Sequence, residues 1–193
     1  MTFMPAFDRF PKECAIIGRL VAGFGELELG WIVCLALSVD GLSAAAEFID
    51  RQRNDYVLVG DAHLKPYYEK LGLSEAYGEA IRVFNHCKDI RNKYAHSVWA
   101  DTNGRLGFTK FGFIAKSGVS NQDLGFHPVD LKLLEAQLAL FENCQDWLFH
   151  LKEEAQANTE NRTQILALAP KTMELPPVHN PPESLHSFNQ KNG

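Results

Sequence analysis

Apolar residues recur at three- and four-residue steps over several long stretches, and this spacing constrains the fold more than any other feature of the chain. Ile17, Leu20, Phe24, Leu27, Trp31 and Leu35 place one apolar stripe on a helix from Pro11 to about Ser38, with Pro11 suited to a first helical position. Gly18, Gly23, Gly25 and Gly30 lower its intrinsic propensity, so close helix–helix approach at those glycines is expected to compensate. A second helix is predicted from Ser43 to Arg53, after a break at Gly41, with Leu42, Ala45, Ala46 and Ile49 on its stripe. A third begins at Ser74 and continues to about Ala95, carrying Tyr77, Ala80, Ile81, Phe84, Cys87 and Tyr94. The last begins at Asp130 and reaches about Ala155, with Leu134, Leu138, Phe141, Leu148 and Leu151 inward.

Between these helices the pattern changes. Asn54 to Gly72 is less regular, and Pro66 is expected to open a short helix that Gly72 closes. Ser97 to Ala115 is β-branched and aromatic around Asp101-Thr102-Asn103-Gly104, which predicts a hairpin. Lys116 to Pro128 has the composition of a loop. From Gln156 onward Asn, Gln, Thr and Pro dominate, including Pro176-Pro177 and Pro181-Pro182, as in a disordered tail or an extended arm. The expected fold class is therefore all-α: an antiparallel bundle of four or five helices over residues 10–155, with a small β-hairpin before the last helix, then a tail over 156–193.

The 193 residues fit one domain plus a tail, and 46% apolar with 22% charged residues is the composition of an ordinary globular protein. A net charge of −5 argues against coating nucleic acid through overall charge. Locally the balance reverses. Between Arg82 and Lys116 seven cations face only Asp89 and Asp101, a net +5 that leaves −10 for the rest. Such a segment suits a phosphate group or an acidic partner, or is simply a solvated basic face. Cys14, Cys34, Cys87 and Cys144 are scattered, which suggests reduced thiols and a cytoplasmic location. Met1 to Phe10 lacks the layout of a signal peptide, and the apolar run Leu29 to Val39 is too short to span a bilayer, so no membrane segment is expected.

On a wheel of the third helix, Arg91 falls within the apolar arc centred near Phe84, Tyr77 and Ala80. A buried cation costs several kcal/mol unless it is paired. On the first helix Glu28 likewise falls among Phe24, Leu27, Trp31 and Leu35, so a Glu28–Arg91 ion pair is expected, either as a structural register device or beside a working site. Asn92 and His96 stand four residues apart and share a face at the helix's C-terminal end, where the helix dipole favours a cation. Arg can grip a phosphate oxygen, Asn can orient a hydroxyl, and His can exchange a proton. That set needs neither metal nor cofactor.

The run Asp89-Ile90-Arg91-Asn92-Lys93-Tyr94-Ala95-His96 resembles the R-x(4)-H signature of the HEPN superfamily, including the Asn that its members often carry after the Arg. The helical context over roughly residues 10 to 155 is similar too, with one more helix after the motif. The resemblance implies a homodimer in which two motifs share one cleft, and many members are metal-independent endoribonucleases of toxin–antitoxin, phage-defence or RNA-processing systems. It implies catalytic roles for Arg91, Asn92 and His96. Lys88 and Lys93 of the basic stretch, and Trp99 within it, are the candidates for contact with RNA or nucleotide. A cognate antitoxin or other partner protein is implied as well. Val98 stands where toxin members often have a Tyr. Other members keep the fold and only bind, so a non-catalytic nucleotide- or partner-binding module is the alternative.

Other signals are weaker. Gly23-x-Gly25 with Gly30 lacks dinucleotide-site spacing. His86 and Cys87 are adjacent with no second pair to complete a metal site, and His63, His127 and His150 stand alone in sequence. Trp99, Phe108, Phe111 and Phe113 could stack bases but more commonly would pack a hairpin onto its helices.

Overall fold

The computed structural model describes residues 5–39, 41–51, 56–102, 104–110, 126–159 and 168–180. Among them the helices are α1 (Pro5–Arg9), α2 (Pro11–Ser38), α3 (Leu42–Arg51), α4 (Tyr56–Lys70), α5 (Ser74–Ala95) and α6 (Leu131–Thr159). The strands β1 (Ser97–Asp101), β2 (Leu106–Lys110) and β3 (His127–Pro128) form one antiparallel sheet in the order β1-β2-β3. The helical class expected from apolar spacing is what the chain adopts, with 74% of its described residues in helix.

Most helix ends follow local chemistry. Gly41 has φ +100° and its carbonyl accepts from Ala45 as α3 begins. Gly72, at φ +74°, closes α4, and the Leu73 amide reaches back to the Tyr68 carbonyl at 2.8 Å. Asp130 caps α6, its Oδ1 accepting from the Leu133 amide at 2.8 Å. Two expectations need correction. Pro66 opens no helix: α4 runs continuously from Tyr56 with Pro66 inside it. Val57, Gly60, Leu64 and Tyr68 are buried along one face of α4, and that packing offsets the missing proline N–H. Of the four glycines in α2, only Gly30 marks a close approach, where a Cβ would lie 3.2 Å from Leu148 Cδ1; Gly18, Gly23 and Gly25 have open space.

The chain divides into two compact units. The first takes the described residues of Met1–Gly23, His86–Leu140 and Leu175–Gly193. It holds α1 and the sheet, where Trp99 lies opposite Phe108 and their rings sit 5.2 Å apart. Tyr94 and Phe7 pack on Trp99 at 5.5 and 5.8 Å. Arg9 and Asp101 form an ion pair. Thr102 and Arg105 exchange backbone hydrogen bonds at 2.7 and 3.4 Å, with Gly104 at φ +81°, so the hairpin turns where its Asn-Gly pair predicts. The segment expected to be loop instead ends in β3, with Phe108 opposite His127 and Gly107 opposite Pro128. The expected hairpin residues 111–115 lie outside the described residues, as do Phe111 and Phe113.

The second unit takes the described residues of Phe24–Asn85 and Phe141–Glu174. Its interior is a run of rings: Phe24 on Phe84 at 5.5 Å, Phe84 on Trp31 at 5.2 Å, Trp31 on Tyr77 at 6.3 Å and Tyr77 on Tyr68 at 5.3 Å. Gly60 faces the Trp31 indole, which would lie 3.3 Å from an added Cβ. Burial pushes the Cys34 thiol up to about 11, against the opposing pull of a Tyr68 hydrogen bond. By length and composition α2 is also apolar enough to cross a membrane, with a mean hydropathy of 1.8 over its best window. A core helix passes the same test, and Leu27, Trp31, Cys34 and Leu35 are buried on it.

Candidate functional site at the end of helix α5

The last two turns of α5 bury Cys87, Ile90 and Tyr94 in the first unit, which fixes the direction of the residues between them. Arg91, Asn92 and Lys93 are half-buried. The Arg91 guanidinium donates from Nη1 to Asn92 Oδ1 at 3.0 Å, so the two side chains already form one polar unit. His96 lies one residue beyond the helix, in the turn before β1, and is exposed. Its imidazole makes no hydrogen bond or ion pair among the described residues, which leaves both ring nitrogens open to solvent or a ligand. Ser97, the first residue of β1, serves the last turn of the helix, its hydroxyl donating to the Lys93 carbonyl.

Lys88 is half-buried on α5. Trp99 is enclosed by Phe7, Tyr94 and Phe108, so most of its ring face is used in packing the sheet onto the helices. Glu28 belongs to the second unit, where its carboxylate accepts a hydrogen bond from the Tyr56 hydroxyl. The Glu28–Arg91 pair expected from the two helical wheels joins residues of different units and stays an expectation.

The weaker sequence candidates have structural employment. His86 Nε2 meets the Pro176 carbonyl at 2.7 Å. The His127 ring packs in tilted contact with Phe108 and His179, at 5.3 and 4.1 Å. His150 is buried against Trp147. Cys87 is fully buried. Among the described residues no group of three or more His, Cys, Asp or Glu side chains could hold a metal ion.

What sequence reasoning missed is Gln137. It is fully buried on α6, accepts from the Tyr94 hydroxyl at 2.7 Å, and donates to the Pro177 and Val178 carbonyls at 2.8 and 3.2 Å. A glutamine midway between Leu134 and Leu140 on a buried helix was the available signal, since a buried amide implies specific partners.

No family model matches the chain, and no solved structure matches it. It is similar to part of the protein translocase subunit SecA 2 of Staphylococcus aureus strains MSSA476, MW2 and Newman. The identity is 33% over 109 residues, covering 51% of this chain and 14% of each relative. The chain thus spans about a seventh of the length of the curated relatives it matches.

Proposed function

We propose that this is a HEPN-like protein whose Arg91, Asn92 and His96 act on RNA phosphodiester bonds as a metal-independent endoribonuclease. The site would be completed by a second copy, and the setting would be a cytoplasmic phage-defence or toxin–antitoxin-like system. The observation that supports it best is an exposed imidazole directly past the helix end, one turn from a guanidinium already hydrogen-bonded to an amide. In this reading His96 takes the proton of the ribose 2′-hydroxyl as that oxygen attacks phosphorus. The 5′-oxygen of the next nucleotide leaves as it takes a proton back from the His96 imidazolium, giving a cyclic 2′,3′-phosphate, a free 5′-hydroxyl and a neutral imidazole. Arg91 neutralises the negative charge that builds on the non-bridging oxygens, and Asn92 orients the ribose. Lys88 and Lys93 add attraction for the phosphate backbone, while Trp99 contributes mainly by packing.

The test is cleavage of varied RNAs by purified protein in chelator. His96→Ala should lower the rate by about 10²- to 10⁴-fold while the fold is unchanged. Intact RNA under conditions where a control nuclease works would overturn the proposal.

The second reading is a non-catalytic module that binds a nucleotide or a partner protein; the partial likeness to a translocase subunit, itself part of an assembly by name, supports only its partner-binding form. In that case His96→Ala leaves biological activity intact and substitutions on a contact surface remove it.

A further inference from the structure

The first unit carries a second feature, which does not use Arg91, Asn92 or His96. Residues 175–180 lie along the surface without helix or strand, and α5 and α6 each extend a side chain to their main-chain carbonyls. His86 on α5 meets the Pro176 carbonyl at 2.7 Å; bonded to a carbonyl, its Nε2 carries the proton. Gln137 on α6 donates to the next two carbonyls, of Pro177 and Val178. Beyond them the Asn180 carbonyl faces His127 Nδ1 at 3.4 Å and His179 Nδ1 at 2.8 Å, while the Asn180 amide donates to Asp130 at 3.3 Å.

From Pro176 to Val178 this arrangement reads main chain rather than side chains, while His179 and Asn180 add side-chain contacts, the His179 ring against His127 and the Asn180 amide to Asp130. Leu175, Pro176 and Val178 are only half-buried and Pro177 is exposed, so little apolar surface is removed from water along the segment. Two prolines supply no N–H groups and hold the backbone extended, so at Pro176 and Pro177 the carbonyls are the main-chain groups left to bind. A row of side-chain donors is the complementary surface for such a backbone. Tyr94 sets the orientation of Gln137: its hydroxyl occupies the amide oxygen, which turns the NH₂ group toward the arm.

We infer that this face of α5 and α6 is a recognition groove for a proline-rich, extended peptide segment of a partner protein, filled here in cis by the chain's own Leu-Pro-Pro-Val. Because the His86 and Gln137 contacts are to carbonyls, a partner segment of the same backbone form makes those same hydrogen bonds. The tethered arm competes through its high effective concentration and so masks the groove.

The experiment uses the full chain. A fluorescent peptide with the sequence of Lys171–Asn180 is titrated into the unaltered protein and into a variant carrying Pro176→Gly and Pro177→Gly, which loosens the arm and leaves the groove intact. Binding, followed by anisotropy, should be about tenfold or more tighter to the variant, in line with release from a tethered competitor. Adding Gln137→Glu, which keeps the volume and the Tyr94 contact but replaces the donor by an acceptor, should remove that gain. Equal binding to all three folded proteins would overturn the inference. The unaltered protein gives a second readout that does not depend on variant folding. On adding unlabelled peptide to isotopically labelled chain at about 10 mM, above the usual effective concentration of a short tether, the NMR signals of residues 175–180 should move toward free-chain positions. Arm signals that stay in place would likewise refute it.

Discussion

The two units solve the problem of a defined interior differently. The second fills its centre with Phe24, Trp31, Tyr68, Tyr77 and Phe84 in successive ring contacts, with Trp31, Tyr68 and Phe84 essentially inaccessible. The first has a smaller ring cluster, Phe7, Tyr94, Trp99 and Phe108, and places beside it the hydrogen-bonded chain from Tyr94 through Gln137 to the arm. Ring stacking is tolerant of detail and rests on buried area, whereas a buried amide is stabilising only while each of its polar atoms is paired. The unit built around the Tyr94–Gln137 chain is also the one that carries the motif and the peptide groove.

The sharpest way to break this contrast is in the second unit. Trp31→Ala removes the middle of the ring series and should cost about 3–5 kcal/mol, read as a lower urea midpoint, far more than the loss of one buried hydrogen bond in the first unit. Tyr94→Phe leaves the ring in place and removes the hydroxyl that orients Gln137, for a cost of about 1 kcal/mol. A loss as large as that of Trp31→Ala would erase the distinction between the units. Alkaline pH tests the buried acids. The Cys34 thiol is raised from 9.0 to about 11, so the unfolded chain loses this proton first. The stability it contributes is complete below pH 9 and is lost as pH rises toward 11. Burial also raises Tyr68 and Tyr77, the latter further through its hydrogen bond to Asp61, so the loss continues above that window. Unfolding at pH 8, 9.5 and 11 should show the decline, and it should persist in a Cys14→Ser variant. At the small end, Gly25→Ala on the open side of α2 should stabilise by about 0.5–1 kcal/mol. Gly60→Ala in α4 should forfeit that gain, because its new methyl meets the stacked Trp31 indole. Differential calorimetry separates the two.

The motif was largely legible in advance. The helix wheel puts Arg91 between Cys87, Ile90 and Tyr94, and those three neighbours are buried while Arg91 is half-buried. His96 stands where the helix signal ends, and it is exposed there. What the wheel could not supply was the Arg91–Asn92 hydrogen bond, a choice between rotamers that spacing leaves open. Trp99 was legible only as an aromatic, and its neighbours, not its identity, assign it to packing.

By itself the sequence determined the helical class, the limits of α2 and α5, the cap at Asp130 and the turn at Gly104, because each depends on residues within a turn or two of chain. Tertiary structure alone decided that α4 runs through Pro66, that His127–Pro128 joins the sheet as a third strand, and that the Pro-rich arm lies on Gln137 and His86. Those outcomes hinge on which distant groups meet. A short polar segment carries no periodic signal of its own, and its structure comes from the donors and acceptors that the rest of the fold presents to it.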